Sequence, residues 1–168
     1  MMHHTGATNS LTDIVKGRFD DKGEFLHGPL AYFHVPKNGV VNLVSAGISQ
    51  HAGKGSRRVL SEVTHDIAPP ASTNRRGLRN DTVGDLVFYG FENENRGKGG
   101  DPWPQVQIDT MVKGAAALCR AHCWTPSRVI AHREWQNGKI DPPGSTWTSS
   151  GTSSARNSAD GSRLAMLQ

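Results

Sequence analysis

The pattern of apolar and polar positions along the chain predicts several short strands. Residues 30–35 (LAYFHV) and 40–44 (VVNLV) are rich in aromatic and β-branched side chains, and residues 37–39 (KNG) have the composition of a turn, so this region predicts a hairpin. Residues 86–92 (LVFYGFE) form an apolar run that predicts a mostly buried strand. Residues 128–132 (RVIAH) predict a further short strand.

The same pattern predicts helices between these strands. Ser10 and Asp13 have the spacing of a capping box, and Gly17 is typical of a helix end, so a short helix is expected over roughly residues 11–16. A longer helix is expected after residues 101–104 (DPWP). Its mainly apolar face is marked by side chains at helical spacing: Ile108, Met111, Val112, Ala115, Leu118, Cys119 and His122.

The remaining segments indicate one domain with a tail. Residues 49–82 contain glycines and prolines typical of a loop, and Pro126 after Thr125 fits the first position of a helix. The order β-α-β-β-β-α-β predicts an α/β fold, a mixed central β-sheet flanked by helices, over residues 1–144. Residues 145–168 are dominated by Ser, Thr and Gly without an apolar period, which predicts a flexible tail.

Composition narrows the possible partners. The chain has 168 residues, enough for one domain, and a net charge of +4 with a pI near 9.3, which suits a polyanionic partner. A bacterial envelope rich in carboxylate and phosphate, an anionic membrane and a nucleic acid all fit that charge. We expect no nucleic-acid partner because aromatic and basic residues are not interleaved and no zinc-finger spacing occurs.

Signals for export and for membrane insertion are also missing from the sequence. No basic segment followed by an apolar run opens it, and no apolar run approaches the length that crosses a bilayer. The interpretation is a monomer made in the cytoplasm, without a signal peptide, that acts on an extracellular target after release. Cys119 and Cys123, four residues apart in a helical stretch, are expected to be buried free thiols because a disulfide there would be strained.

Four segments carry residues with catalytic or metal-binding chemistry. They are residues 3–7 (HHTGA), 50–55 (QHAGKG), 89–92 (YGFE) and 132–144, which include HREW and KIDPPG. Each alone has an ordinary structural explanation, and the glycine-rich loop lacks the spacing of a phosphate-binding loop. Together they supply two imidazoles and a carboxylate for zinc with a fourth position left for water, a second carboxylate as a base, and a lysine to offset charge on an attacked carbonyl oxygen.

This order of motifs resembles the zinc-dependent N-acetylmuramoyl-L-alanine amidase family, which includes phage endolysins and peptidoglycan recognition proteins. The resemblance covers about residues 3–144, and residues 89–111 are especially similar to the amidase domains of actinobacterial phage endolysins. Members of the family hydrolyse the lactyl amide between N-acetylmuramic acid and L-alanine. The resemblance therefore implies an amidase-like fold, a Zn2+ cofactor and bacterial peptidoglycan as the partner.

Matched motif by motif, the resemblance implies that zinc is held by His3, His132 and Asp141. Neighbouring side chains on a strand point to opposite faces, so His3 and His4 cannot both reach one metal ion. The motif places the ligand at the first histidine of the pair. We therefore expect His4 to face away from the metal, packed or hydrogen-bonded.

The resemblance also implies which residues act on the substrate. Glu92 would be the general base and later protonate the departing amine, Lys139 would stabilise the oxyanion, and His51 would line the substrate cleft. Two alternatives share part of this pattern: a recognition domain that binds peptidoglycan without cutting it, and a zinc peptidase that cuts the stem peptide. Presence of the full ligand set together with Glu92 favours catalysis, and the HHTGA and YGFE segments have no place in the peptidase.

Overall fold

The computed structural model describes residues 1–69 and 78–142. Its strands are β1 (Met2–His4), β2 (Gly17–Phe19), β3 (Phe25–His27), β4 (Phe33–Val35), β5 (Asn42–Leu43), β6 (Lys54–Gly55), β7 (Thr82–Val83) and β8 (Phe91–Asn93). Its helices are α1 (Leu11–Lys16), α2 (Arg57–Thr64), α3 (Gln105–Ala121) and α4 (His132–Trp135), and a 3-10 turn spans Pro126–Arg128. The tail predicted over 145–168 lies outside the described residues. Within them, no helix is long and apolar enough to cross a membrane.

A four-stranded sheet in the order β1-β8-β4-β5 lies at the centre of the fold. Strand β8 runs parallel to both β1 and β4, and β5 pairs antiparallel with β4 as the second strand of the predicted hairpin. Two short antiparallel ribbons, β2 with β3 and β6 with β7, lie outside this sheet. The structure therefore confirms an α/β fold with a mixed sheet and flanking helices.

Helix α3 covers one face of the sheet. Phe33 on β4 and Phe91 on β8 stack with their ring centroids 4.5 Å apart, and Met2 on β1 lies in the same apolar cluster as Met111 and Ala115 of α3. The apolar side of the predicted long helix is confirmed at these two helical positions. Because side chains alternate along a strand, the residues next to Met2, Phe33 and Phe91 point to the opposite face of the sheet.

A second apolar cluster connects α2 and α4. Trp135 at the end of α4 is fully buried, and its ring packs edge-on against Phe88 with the centroids 5.0 Å apart. The indole N–H of Trp135 donates to the carbonyl of Ala52 at 2.9 Å. Val59 and Val63 of α2 pack into the same cluster. The cluster therefore fixes the loop of the HAGKG motif against the helix of the HREW motif.

The strand predicted over 86–92 is displaced toward the carboxyl end, because β8 begins only at Phe91. The backbone N–H groups of Val87 and Phe88 donate to the carbonyl of Gly84, which closes a turn where the strand was expected. Leu86 and Val87 in this turn are 68% and 48% exposed. An apolar run alone does not reveal that its first residues are used in a turn.

The prediction of a loop over residues 49–82 was wrong. This segment contains β6 and α2, and β7 begins at its last residue. Val59 and Val63 lie one helical turn apart and are buried, which is the helical signal of this segment. The glycines and prolines on both sides of that short signal favoured the loop. Residues 70–77 lie outside the described part of the chain.

The segment after α3 also differs from the prediction. Residues 128–132 pair with β1 only through a bridge between Met2 and Ala131, and His132 begins α4 instead of ending a strand. The helix expected at Pro126 is a single 3-10 turn. The short segment turns into α4 before a strand can extend along β1.

The two cysteines are free, as expected, but they are not both buried. Cys119 is partly buried, whereas Cys123 is exposed. Helix α3 ends at Ala121, so Cys123 follows the helix with a positive φ of 55° and does not continue its apolar face.

Candidate metal centre

Three polar side chains form a row across the middle of the sheet. The register places His3 on β1 and His34 on β4 on either side of Glu92 on β8. Residues in register on parallel strands point to the same face, so this row lies on the face opposite α3. All three side chains are buried, with 1%, 2% and 7% exposure for His3, His34 and Glu92. The sheet thus places an imidazole directly beside a buried carboxylate.

His34 is held by its neighbours on the outer side of this row. Its Nδ1 lies 3.3 Å from the Nδ2 of Asn42, and its Nε2 lies 3.1 Å from the Oγ of Ser10. An amide Nδ2–H can only donate, so the Nδ1 of His34 accepts and its Nε2–H donates to Ser10. Both ring nitrogens therefore connect α1 and β5 to the sheet.

Backbone hydrogen bonds bring His132 and Asp141 to the other side of the row. The N–H of Met2 donates to the carbonyl of Ile130 at 2.8 Å, which places the start of α4 beside β1. The chain then returns after α4, where the N–H of Arg133 donates to the carbonyl of Asp141 at 2.9 Å. Residues 139–142 therefore fold back onto the helix that carries the second histidine.

The predicted ligand atoms of His3, His132 and Asp141 form a compact triangle. The two Nδ1 atoms lie 2.9 Å apart, and the Oδ2 of Asp141 lies 3.1 Å from the Nδ1 of His132 and 3.4 Å from the Nδ1 of His3. Tetrahedral zinc with bonds of about 2.0–2.1 Å separates its ligand atoms by about 3.3 Å. The triangle therefore has the dimensions of three corners of a zinc site, and its donors are of the types that zinc binds.

The charges in this triangle suit a cation. Burial lowers the pKa of His3 well below its ordinary value, and the neighbouring His132 lowers it further. Burial acts to raise the pKa of Asp141, but the imidazoles of His132 and His3 beside its carboxylate outweigh burial and hold that pKa below its ordinary value. A neutral imidazole and an ionised carboxylate are the forms that bind metals.

Glu92 lies next to the triangle without belonging to it. Its Oε1 is 3.9 Å from the Nδ1 of His3, and its Oε2 is buried without a hydrogen-bond partner among the described residues. Burial raises the pKa of Glu92 well above its ordinary value, and the charge of Asp141 adds to this effect. A buried, unpaired carboxylate oxygen beside a metal-ligand set is the arrangement expected of a proton acceptor.

The outer nitrogen of each candidate histidine ligand has its own partner. The Nε2 of His132 lies 2.9 Å from the Oε1 of Gln136, and the Nε2 of His3 lies 3.1 Å from the Nδ1 of His51. Partners of this kind orient metal-binding imidazoles in many proteins. Sequence reasoning missed Gln136, although its position four residues after His132 was the available signal.

The structure places the remaining predicted site residues at different depths. His51 is 8% exposed, with its ring between His3 and the carbonyl of Phe88. Lys139 is exposed. Its charge acts to lower the pKa of Glu92, which burial raises. His4 lies one residue beyond the triangle, and its ring packs against Gly97, where an added Cβ would approach its Nε2 to 2.2 Å.

An apolar cavity of about 360 Å3 lies elsewhere in the described part of the protein. Its lining includes Leu60, Val87, Phe91, Leu118 and Val129 and none of the candidate metal ligands. The polar triangle therefore lies outside the lining of this cavity.

Comparison with known proteins gives a family for this site. The family model described as N-acetylmuramoyl-L-alanine amidase matches residues 1–144, a range that includes the triangle and Glu92. No curated protein and no solved structure matches the chain. The family match agrees with the mixed sheet, the flanking helices and the order of the motifs. The chain belongs to the N-acetylmuramoyl-L-alanine amidase family, a family of amidases that act on peptidoglycan.

Proposed function

We propose that this amidase is zinc-dependent and hydrolyses the lactyl amide that joins N-acetylmuramic acid to L-alanine. The observation that carries the proposal is the triangle of ligand atoms from His3, His132 and Asp141, with a carboxylate oxygen of Glu92 3.9 Å from the nearest imidazole nitrogen. Family membership supports the substrate class, and the donor set supports the metal.

The donor set favours zinc over harder cations. Two imidazole nitrogens and one carboxylate oxygen suit zinc, whereas Mg2+ and Ca2+ prefer ligand sets made of oxygen. Three protein ligands with one position left open are typical of catalytic zinc, while structural zinc has four protein ligands. A zinc ion held here would lower the pKa of a bound water and polarise the carbonyl of the scissile amide.

Glu92 is the residue that we propose moves protons. Its Oε2 has no partner among the described residues, so it is available to accept a proton from the attacking water. The same carboxyl would then donate that proton to the nitrogen of L-alanine as the C–N bond breaks. The amide would yield a carboxylic acid on the lactyl group and a free amino terminus on the peptide.

Lys139 is the proposed counter-charge for the amide oxygen. Both Lys139 and Arg18 are close enough to oppose the raised pKa of Glu92. Arg18 is already anchored, because its Nη1 donates to the carbonyl of Thr5 at 2.7 Å. The exposed Lys139 side chain has the freedom to approach a bound substrate and offset negative charge as it develops on the oxygen.

The biological setting that we propose is lysis of a bacterial cell by a phage endolysin. The resemblance of residues 89–111 to actinobacterial phage endolysins supports this setting. The basic charge of the chain, +4, suits a wall rich in carboxylate and phosphate. In this setting the protein would be made in the cytoplasm and act on the wall after release.

Mass spectrometry of digested peptidoglycan tests the proposed bond. Purified walls incubated with the protein should gain free L-alanine amino termini while the glycan strands stay intact. Glu92→Gln, which preserves the size of the side chain, serves as the matched control and should yield few new termini. New termini inside the stem peptide would instead identify a peptidase, and binding to walls without any new termini would identify a recognition domain.

A further inference from the structure

A buried chain of hydrogen bonds runs from the metal triangle into the protein. The Nε2 of His51 lies 2.8 Å from the carbonyl oxygen of Phe88, and the Nδ1 of His51 lies 3.1 Å from the Nε2 of His3. A carbonyl oxygen can only accept, so the Nε2 of His51 carries a proton. The His51 ring is buried, and a neutral imidazole that carries its proton on Nε2 has Nδ1 as its acceptor.

The direction of the second hydrogen bond follows from the first. Because the Nδ1 of His51 accepts, the Nε2 of His3 must carry the proton that it donates. The Nδ1 of His3 is then unprotonated, and it is this atom that faces the Nδ1 of His132 and the Oδ2 of Asp141. The carbonyl of Phe88 thus sets, through two imidazoles, which nitrogen of His3 is presented to a metal.

The backbone around His51 is held in place by one carboxylate. The Oδ1 of Asp85 accepts the backbone N–H groups of His51, Ala52 and Gly53 at 2.9, 2.7 and 3.1 Å. These three donors belong to consecutive residues of the HAGKG motif. The carboxylate therefore fixes the loop from which the His51 ring extends.

The ring of His51 also fits closely against its neighbours. A Cβ added at Gly90 would lie 2.5 Å from the Cγ of His51, so only glycine leaves room for the ring at this position. The ring of Tyr32 also packs edge-on against the ring of His51, with 5.9 Å between their centroids. The glycine of the YGFE motif therefore leaves the space that the His51 ring of the HAGKG motif fills.

We propose that His51 is a positioning residue of the metal centre, which fixes the tautomer and ring orientation of His3 so that its Nδ1 faces the metal. This inference rests on the proposed zinc site. Both ring nitrogens of His51 are occupied by His3 and Phe88, so the ring has no free polar atom for a substrate. The role differs from the substrate contact that the family resemblance implies for this residue.

Two substitutions separate this role from simple packing. His51→Phe retains the volume of the ring but removes the acceptor, whereas His51→Asn loses volume but places a carbonyl oxygen near the position of Nδ1. A packing role makes Phe the better replacement, and a positioning role makes Asn the better one. His65→Phe, at an exposed histidine on the end of α2, is the matched control.

The measurement is the zinc dissociation constant of each purified protein, determined by competition with a chromophoric chelator at one pH. His51→Phe should bind zinc about 10- to 100-fold more weakly than the unaltered chain, His51→Asn should recover most of that loss, and His65→Phe should match the unaltered chain. Equal affinity in His51→Phe, or weaker binding in Asn than in Phe, would overturn the proposal. A chain that cleaves walls without binding zinc would instead overturn the proposed function.

Nitrogen NMR on the unaltered, zinc-loaded protein tests the same point if the variants do not fold. The Nδ1 of His51 should be unprotonated, and a scalar coupling across the hydrogen bond should connect it to the Nε2 of His3. A proton on the Nδ1 of His51 would reverse the hydrogen bond and contradict the proposal.

Discussion

His3 and Glu92 lie directly opposite each other on neighbouring parallel strands, with 3.9 Å between the Nδ1 of His3 and the Oε1 of Glu92. The strand register alone brings these two side chains to the same face of the sheet. One of them belongs to the ligand triangle and the other does not. Substitutions at the two positions should therefore separate metal binding from catalysis.

Glu92→Gln should retain zinc and lose activity. The amide preserves the shape of the side chain but cannot accept the proton, so turnover of a soluble muropeptide should fall about a hundredfold or more. Zinc content by elemental analysis should stay near one ion per chain. Glu94→Gln is the matched control, because Glu94 accepts the backbone N–H of Asn9 and an amide oxygen can do the same. Wild-type turnover in Glu92→Gln would place the base elsewhere.

The two adjacent histidines should respond differently to substitution by alanine. His3→Ala removes one corner of the ligand triangle, so zinc and activity should be lost together. His4→Ala removes packing against Gly97 and should mainly lower the melting temperature. Zinc content and thermal unfolding of both variants provide the readout. Loss of zinc from the His4 variant alone would show that the ligand assignment is one residue out of register.

Gln136→Leu should weaken zinc binding without abolishing it. The substitution keeps a side chain of similar size but removes the Oε1 that lies 2.9 Å from the Nε2 of His132. Loss of such a partner typically costs about 10- to 100-fold in metal affinity. Asn137→Leu, at the next and exposed position, should leave the zinc dissociation constant unchanged. Equal affinity in both variants would show that Gln136 does not orient the ligand.

The ion pair between Asp66 and Arg128 should make stability depend on pH. Hydrogen bonds from Arg128 and Thr125 lower the pKa of Asp66 to about 2 in the folded chain, from an ordinary value of 3.8. A lowered carboxylate pKa stabilises the fold above about pH 4, and this contribution is lost as the pH falls toward 2. Urea unfolding should therefore show a less stable Asp66→Asn at pH 7, with the difference shrinking below pH 4. A difference that grows in acid would contradict this linkage.

The sequence predicted the elements of the fold that have a clear local signal, such as a helix start and stop or a long apolar period. The short helix from Leu11 to Lys16 has a start signal at Ser10 and a stop at Gly17, and the structure has these bounds. Helix α3 was predicted from its long apolar period, yet the buried Gln107 was missed. Its Nε2 donates to the carbonyl of Val35 on β4 and to that of Glu94, just after β8. An apolar period along a helix does not reveal such tertiary contacts.

The sequence was enough to predict the residues of the candidate metal triangle, but not the contacts that surround them. The order of the motifs predicted His3, His132 and Asp141 as metal ligands, and the structure brings their side chains together. The position of His51 behind His3 depends on hydrogen bonds to Phe88 and on a turn at Asp85, which form only once distant segments meet. The sequence does not predict such contacts, because each partner is a common residue type in a loop.

Zinc titration of the metal-free protein tests the central claim most directly. Muropeptide cleavage should be absent in metal-free protein, rise with added zinc and reach its maximum at one ion per chain, with free L-alanine amino termini as the product. Elemental analysis must establish the metal-free starting point. Full release of L-alanine termini by protein shown to contain no metal would contradict the account.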